Sequence, residues 1–173
     1  MAQRLGCELN DRLAAISPIV GTLPLGHNCS PKHSKKMPIL NIWGTEDHIQ
    51  PGDSILDTTG GTYRLSVYQV MYKYGEHNKC DVNNKKYVTI PSVADGVQEW
   101  KCVGYDECDF EGDDDKFVDV MSCSWNGTHN EDYGFAGMNI GIDVIWNFFK
   151  EKTNIPISTK SVKDNLDEYS SFF

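Results

Sequence analysis

The chain has no run of 18 apolar residues, so it lacks the long hydrophobic stretch that a membrane-crossing helix needs. Basic charge is scarce: 16 Lys and Arg stand against 25 Asp and Glu, a net charge of −9 over 173 residues. An acidic surface is repelled by phosphate backbones, so no nucleic-acid partner is expected. Cys-x-x-Cys is missing, and Cys102 and Cys108 stand six apart, which speaks against a zinc site. There is no internal repeat and no low-complexity tract. The opening MAQRLGCELN has neither the basic start nor the apolar stretch of a secretory signal.

What is present is a globular composition, 39% hydrophobic and 11% aromatic, on a length that fits one domain. Six cysteines, Cys7, Cys29, Cys80, Cys102, Cys108 and Cys123, suggest disulfides formed in an oxidising compartment. Spacing alone leaves all of their 15 pairings open. Two sequons, Asn28-Cys29-Ser30 and Asn126-Gly127-Thr128, fit a secreted protein. Disulfides without a leader conflict. Either the cysteines are reduced, or the chain is expected to have its true start upstream of Met1.

Met1, Leu5, Leu9 and Leu13 form one stripe at spacing four, which predicts an amphipathic helix over 1–13 with no cap before it. AAISPIV, 14–20, reads as a buried strand whose pairing Pro18 restricts. Residues 21–38 read as a loop. PILNIW, 38–43, is apolar on both faces, as a strand inside a parallel sheet must be. Leu65, Tyr68, Met71 and Tyr72 predict a helix face that Gly75 ends. Strands 87–93 and 97–103 are expected to pair as a hairpin across Ala94-Asp95-Gly96. FVDVM, 117–121, is a further strand. Over 137–152, Ile142, Ile145, Trp146 and Phe149 share the face of a closing helix. The polar tail from Thr153 is expected to be loosely held. These elements give an α/β pattern, whose chemistry sits at the carboxyl ends of strands.

Two strand ends carry reactive side chains. After PILNIW comes Gly44-Thr45-Glu46-Asp47-His48-Ile49-Gln50-Pro51, and after FVDVM comes Ser122-Cys123-Ser124-Trp125-Asn126-Gly127-Thr128-His129. An acid followed by a histidine is the tail of the Ser, Asp, His order of α/β hydrolases. The acid orients the imidazole, which removes the nucleophile's proton.

These residues resemble the secreted polyhydroxybutyrate depolymerases and feruloyl esterases of the α/β-hydrolase fold. The resemblance rests on MAQRLGCELNDRLAAISPIVGTLP and PILNIWGTEDHIQP. It rests too on Asn78-Lys79-Cys80, on Trp100 with Cys102 or Cys108, on Asn126-Gly127-Thr128-His129 and on Trp146-Asn147-Phe148-Phe149. In the family's His-Gly-x-x-Asp-x-x-x-Pro motif, Trp43 replaces the histidine while Gly44, Asp47 and Pro51 match. The family's Trp-Pro-Gly after the histidine is absent, and no Gly-x-Ser-x-Gly occurs in the 173 residues.

The resemblance implies the C-terminal part of an α/β-hydrolase fold over 1–152, a mostly parallel sheet flanked by helices, with the N-terminal half missing. The nucleophilic serine is then expected a few residues before Met1, and the oxyanion hole is absent with it. Asp47 would be the triad acid and His129 the general base. Cys80 would pair with Cys102, or alternatively with Cys108; Cys7 and Cys29 could pair with each other or with a cysteine upstream. The implied activity is that of an extracellular serine carboxylic-ester hydrolase. Its substrate would be a feruloyl or acetyl ester on plant polysaccharide, or a hydroxyalkanoate polyester, with no metal or organic cofactor. The 173 residues alone would be inactive and poorly soluble.

Plainer readings stand beside these. Gly-Thr-Glu-Asp is ordinary turn chemistry, Glu46 is a rival carboxylate off the motif register, and His48 reads as a solvated turn residue. His27, His33 and His77 read as surface. Residues 106–115 hold seven acidic side chains in ten, but with Gly112 at the sixth EF-hand position the twelfth is Val118 where a Glu is needed, so calcium fails. Trp43 and Trp146 read as core. Trp125, four residues before His129, is the aromatic expected to line a site. On a non-enzymatic reading, the chain is a secreted pseudohydrolase or carbohydrate-binding protein that binds through such exposed aromatics. A cytosolic thiol protein would instead need free cysteines.

Overall fold

PILNIW becomes strand β1 (Ile39–Gly44), with all six residues buried. In the computed structural model the described residues are 1–26, 36–50, 52, 57–58, 62–90, 100–105, 108, 120–129, 144–150 and 152. They form helix α1 (Ala2–Glu8), β1, a short ribbon of β2 (Asp57–Thr58) and β3 (Thr62–Tyr63), helix α2 (Val67–Asn78), and strands β4 (Lys85–Ile90), β5 (Trp100–Tyr105) and β6 (Val120–Trp125). Residues 144–150 are helical again. The arrangement is α/β: a four-stranded sheet in the order β1-β6-β5-β4 with helices against it.

β1 and β6 run parallel, in register from Ile39↔Val120 to Gly44↔Trp125. On the other edge of β1 the chain makes two isolated parallel bridges, Ile16↔Ile39 and Ile19↔Ile42. Pro18 has no N–H to give, so the expected strand over 14–20 is reduced to bridges. The Pro18 carbonyl still accepts from Ile42 N at 2.9 Å. The sheet is mixed rather than mostly parallel, because β5 pairs antiparallel with both β4 and β6. The expected hairpin is β4–β5, with Tyr87 opposite Val103. Its turn, the strand start at 117–119 and the helix start at 137–143 lie outside the described residues. So do the 153–173 tail, His27, His33, the first sequon and almost all of the acidic run.

Alternation along the strands builds a core on each face. Ile39, Trp43, Val120 and Tyr105 join α2's Val67, Val70, Met71 and Tyr74, with Cys7 of α1. Leu40, Ile42, Cys102, Met121, Cys123 and Trp125 join Phe148 on the other face.

The helices bury faces other than the expected ones. In α1 the buried residues are Gln3, Gly6 and Cys7, while Leu5 and Leu9 are 39% and 37% exposed. Close approach explains the difference. A Cβ on Gly6 would lie 2.5 Å from Ile16 Cδ1 and 2.9 Å from Tyr74 Oη, so only a small-residue face lets α1 sit this near the sheet. α2 starts at a capping box: Ser66 Oγ accepts from Gln69 N at 3.2 Å, and Gln69 Oε1 accepts from Ser66 N at 2.9 Å. Gly75 does not stop it. The helix continues to Lys79, which closes it at φ 57°, and Gly75 makes room for the Tyr105 ring. Tyr68 and Tyr72 of the expected face are exposed. Asn78 then ties the helix end to the start of β1, accepting from Met37 N and donating to Met37 O, both at 3.0 Å. In the last helix Phe148 is buried, whereas Trp146, expected in the core, is 55% exposed.

The disulfides are Cys80–Cys108 and Cys102–Cys123; Cys7 is disulfide-bonded as well. The alternative partner for Cys80 is therefore the one found, and the Cys80–Cys102 pairing is corrected. The physical reason is the pleat. Cys102 points into the core opposite α2, where the antiparallel register sets it across from Cys123, while Cys80 lies on α2's side of the sheet. Among the described residues no helix is long and apolar enough to cross a membrane.

Candidate active site

Because β1 and β6 are parallel neighbours, their carboxyl ends leave the sheet side by side. Their pairing continues into the two loops: Thr45 N donates to Trp125 O at 2.8 Å and Glu46 N to Gly127 O at 2.9 Å. At the rim, Thr45 Oγ1 donates to Asn126 Oδ1 at 3.3 Å. The loop after β1 turns back on itself, with Asp47 N donating to Gly44 O at 3.3 Å. This turn points the Asp47 side chain inward, where it is fully buried.

The Asp47 carboxylate accepts from three donors. Oδ1 accepts from Ile49 N at 2.9 Å and from Gln50 N at 2.7 Å. Oδ2 lies 2.8 Å from His129 Nδ1, and the His129 side chain is 18% exposed. A carboxylate has no proton to give. The shared hydrogen therefore sits on Nδ1, and Nε2 is left as the basic nitrogen. Among the described residues nothing hydrogen-bonds Nε2. The arrangement can hold an imidazole in one orientation and one tautomer, stabilise the imidazolium, and leave Nε2 as the basic nitrogen.

The other candidates fall elsewhere. Glu46 and His48 are exposed turn residues, and His77 lies in the last turn of α2. Trp125, expected to line the site, is buried in the core with its ring 5.5 Å from that of Trp100; it reaches the site only through its carbonyl. Trp43 is core as expected, and its Nε1 donates to Ser122 Oγ at 2.9 Å. Among the described residues no group of three or more His, Cys, Asp or Glu is placed to hold a metal ion.

The amino end of α1 lies at this same end of the sheet. Gln3 Nε2 donates to Gly21 O at 2.5 Å, just past the bridge of Ile19, whereas Gly6, one turn later, meets Ile16. Helix α1 thus runs back along the 16–20 segment. Gln50 Oε1, from the Asp47 loop, stands 3.8 Å from where a Gly21 Cβ would be. Sequence reasoning missed the two amide donors to Asp47; an Asp at the head of a tight turn is the signal that could have indicated them. The comparisons identify no matching protein-family model, no curated relative and no solved structure of similar fold.

Proposed function

We propose that Asp47 and His129 are the acid and base of a serine carboxylic-ester hydrolase. The observation that carries this reading is the 2.8 Å contact between a buried carboxylate and an imidazole Nδ1, at the carboxyl ends of adjacent parallel strands. In such a hydrolase His129 Nε2 takes the proton from the serine hydroxyl and returns it to the leaving alkoxide, while Asp47 stabilises the imidazolium between the two steps. The proposed setting is an α/β-hydrolase fold, the proposed compartment extracellular, in keeping with the disulfides. The substrate proposed is an ester on plant polysaccharide or a hydroxyalkanoate polyester.

The serine is proposed to come from residues outside the 173. The topology is compatible with one place of entry for it. α1 and α2 cover the same face, and crossovers between parallel strands keep one hand. A strand leading into α1 would therefore lie on the open edge of the 16–20 segment. Its turn into α1 would emerge beside the Asp47 loop, where a nucleophile is needed. On the rival reading of a binding protein, Trp125 would be the platform, and its burial disfavours that.

The test is to treat the protein from its native source with a fluorophosphonate probe and map the labelled serine. Label on a serine upstream of Met1, lost in His129→Ala, is the expected result. A native species that takes no label, or one labelled within 1–173, overturns the proposal. The isolated 173 residues are expected to leave p-nitrophenyl acetate uncleaved.

A further inference from the structure

We infer that Gly44 is the positioning residue that sets His129 on Asp47, by leaving unfilled the space that the histidine's own loop occupies. A Cβ on Gly44 would collide with the Gly127 carbonyl oxygen, would lie 2.8 Å from the Gly127 carbonyl carbon, and would lie 3.0 Å from Thr128 O. The obstacles are backbone, and the next residue along is His129. The demand on Gly44 is for space alone, because its φ is not in the left-handed region, so alanine can adopt its backbone.

The loop cannot yield without cost to the pair. Gly127 O is held at 2.9 Å by Glu46 N and Trp125 O at 2.8 Å by Thr45 N. A side chain at position 44 therefore pushes 127–128 off the donors that fix it. Asp47 would not follow, since its other oxygen is anchored independently by Ile49 N and Gln50 N. A hydrogen bond of 2.8 Å is lost when its atoms separate by less than ~1 Å more. Gly44→Ala thus separates the imidazole from the carboxylate without replacing either residue. The inference concerns the working pair of the proposed hydrolase, but its readout is the imidazole itself. Intact pairing without hydrolysis would count against the proposed function and not against Gly44.

The experiment is a long-range proton–nitrogen correlation spectrum of the five histidines in labelled protein, with His129→Gln identifying the signal. The wild type is expected to show His129 as the Nδ1–H tautomer with a low-field, slowly exchanging proton. In G44A that proton is expected to vanish while thermal unfolding stays cooperative and Cys102–Cys123 stays oxidised. A folded G44A that keeps the low-field proton overturns the inference. Should G44A not fold, Thr45→Val loosens the crossing of the same two loops at its rim, because it removes the side-chain bond to Asn126 and leaves the backbone bonds. It is expected to speed exchange of the His129 proton about threefold, the equivalent of one weak exposed hydrogen bond; an unchanged rate then overturns the inference.

Discussion

Asp47→Asn is the most informative single change, since the amide keeps the shape and reverses one polarity. Wild-type Asp47 accepts three hydrogen bonds, from Ile49 N, Gln50 N and His129 Nδ1. Asparagine can keep the first two through Oδ1. Its NH2 then faces Nδ1, where two donors cannot share one bond. The imidazole must move its proton to Nε2 and accept at Nδ1. The expected loss of stability is the difference between charged and neutral hydrogen bonds, about 1 kcal/mol for each of the three and ~1–3 kcal/mol together. Asp47→Ala takes the acceptor from three part-buried donors at once and is expected to cost more, ~3–5 kcal/mol. Urea denaturation ranks the variants, and nitrogen chemical shifts of His129 read the tautomer. On the proposed hydrolase reading the same inversion would remove the basic nitrogen from the nucleophile, and rates would be expected to fall by about 10⁴. An Asn variant that retains Nδ1–H, or that is as unstable as the Ala variant, refutes the reasoning, because Asp47 would then not be the group that sets the histidine.

Three further expectations follow from the packing. Non-reducing peptide maps should show the 80–108 and 102–123 links; removing the second by Cys102→Ala/Cys123→Ala frees a loop of sequence separation 21 and should cost about 3 kcal/mol of unfolding free energy in urea melts. An 80–102 link would contradict the face assignment of β5. Gly6→Ala should destabilise by ~1–2 kcal/mol, the overpacking against Ile16 and Tyr74 outweighing a gain in helix propensity, whereas Leu5→Gln should stay within ~0.5 kcal/mol; the reverse order would restore the leucine stripe as the buried face. Burial raises the Tyr74 phenol well above its ordinary range, and its hydroxyl donates to Gln3 O at 2.8 Å. Unfolded chains lose this proton near pH 10 and folded ones later, so the raised value contributes stability below pH 10 that declines as pH rises, by up to ~1.4 kcal/mol per pH unit. Urea melts without free thiol should show a shallower alkaline decline in Tyr74→Phe, and equal slopes would contradict it.

What the sequence made legible was set by local pattern. PILNIW announced a strand buried on both faces, and β1 is buried throughout. Asp47 and His129 are legible as candidates because each lies in the loop just past a recognisable strand, and the structure brings the two side chains within 2.8 Å. The errors share one cause, which is that side-chain hydrophobicity does not report how close two backbones come. Leu5 and Leu9 outscored Gly6 and Cys7 as a core face, yet only the small residues admit Ile16. Gly75 looked like a stop because a glycine's use beneath the Tyr105 ring is invisible until β5 is placed. Trp125 looked like a binding residue because its distance from His129 was known and its side of the strand was not.

The Cys102–Cys123 disulfide and the site share one geometric origin. A β-strand sends alternate side chains to opposite faces, so once β6 pairs with β1 on one side and β5 on the other, Cys123 must face Cys102, and Ser122 must face Trp43 Nε1. The same pairing leaves two loop mouths adjacent at the carboxyl end. Asp47 and His129, 82 residues apart in sequence, need no long reach to meet: two amide–carbonyl bonds beyond the strand ends, and a glycine where the loops cross, bring them within hydrogen-bond distance. The sheet thus brings the two loops together, and the Asp47 loop's own amide bonds hold the carboxylate where they meet. It follows that a substitution loosening the β1–β6 pairing at Gly44 should harm the histidine's orientation more than one of equal size on the exposed side of either loop.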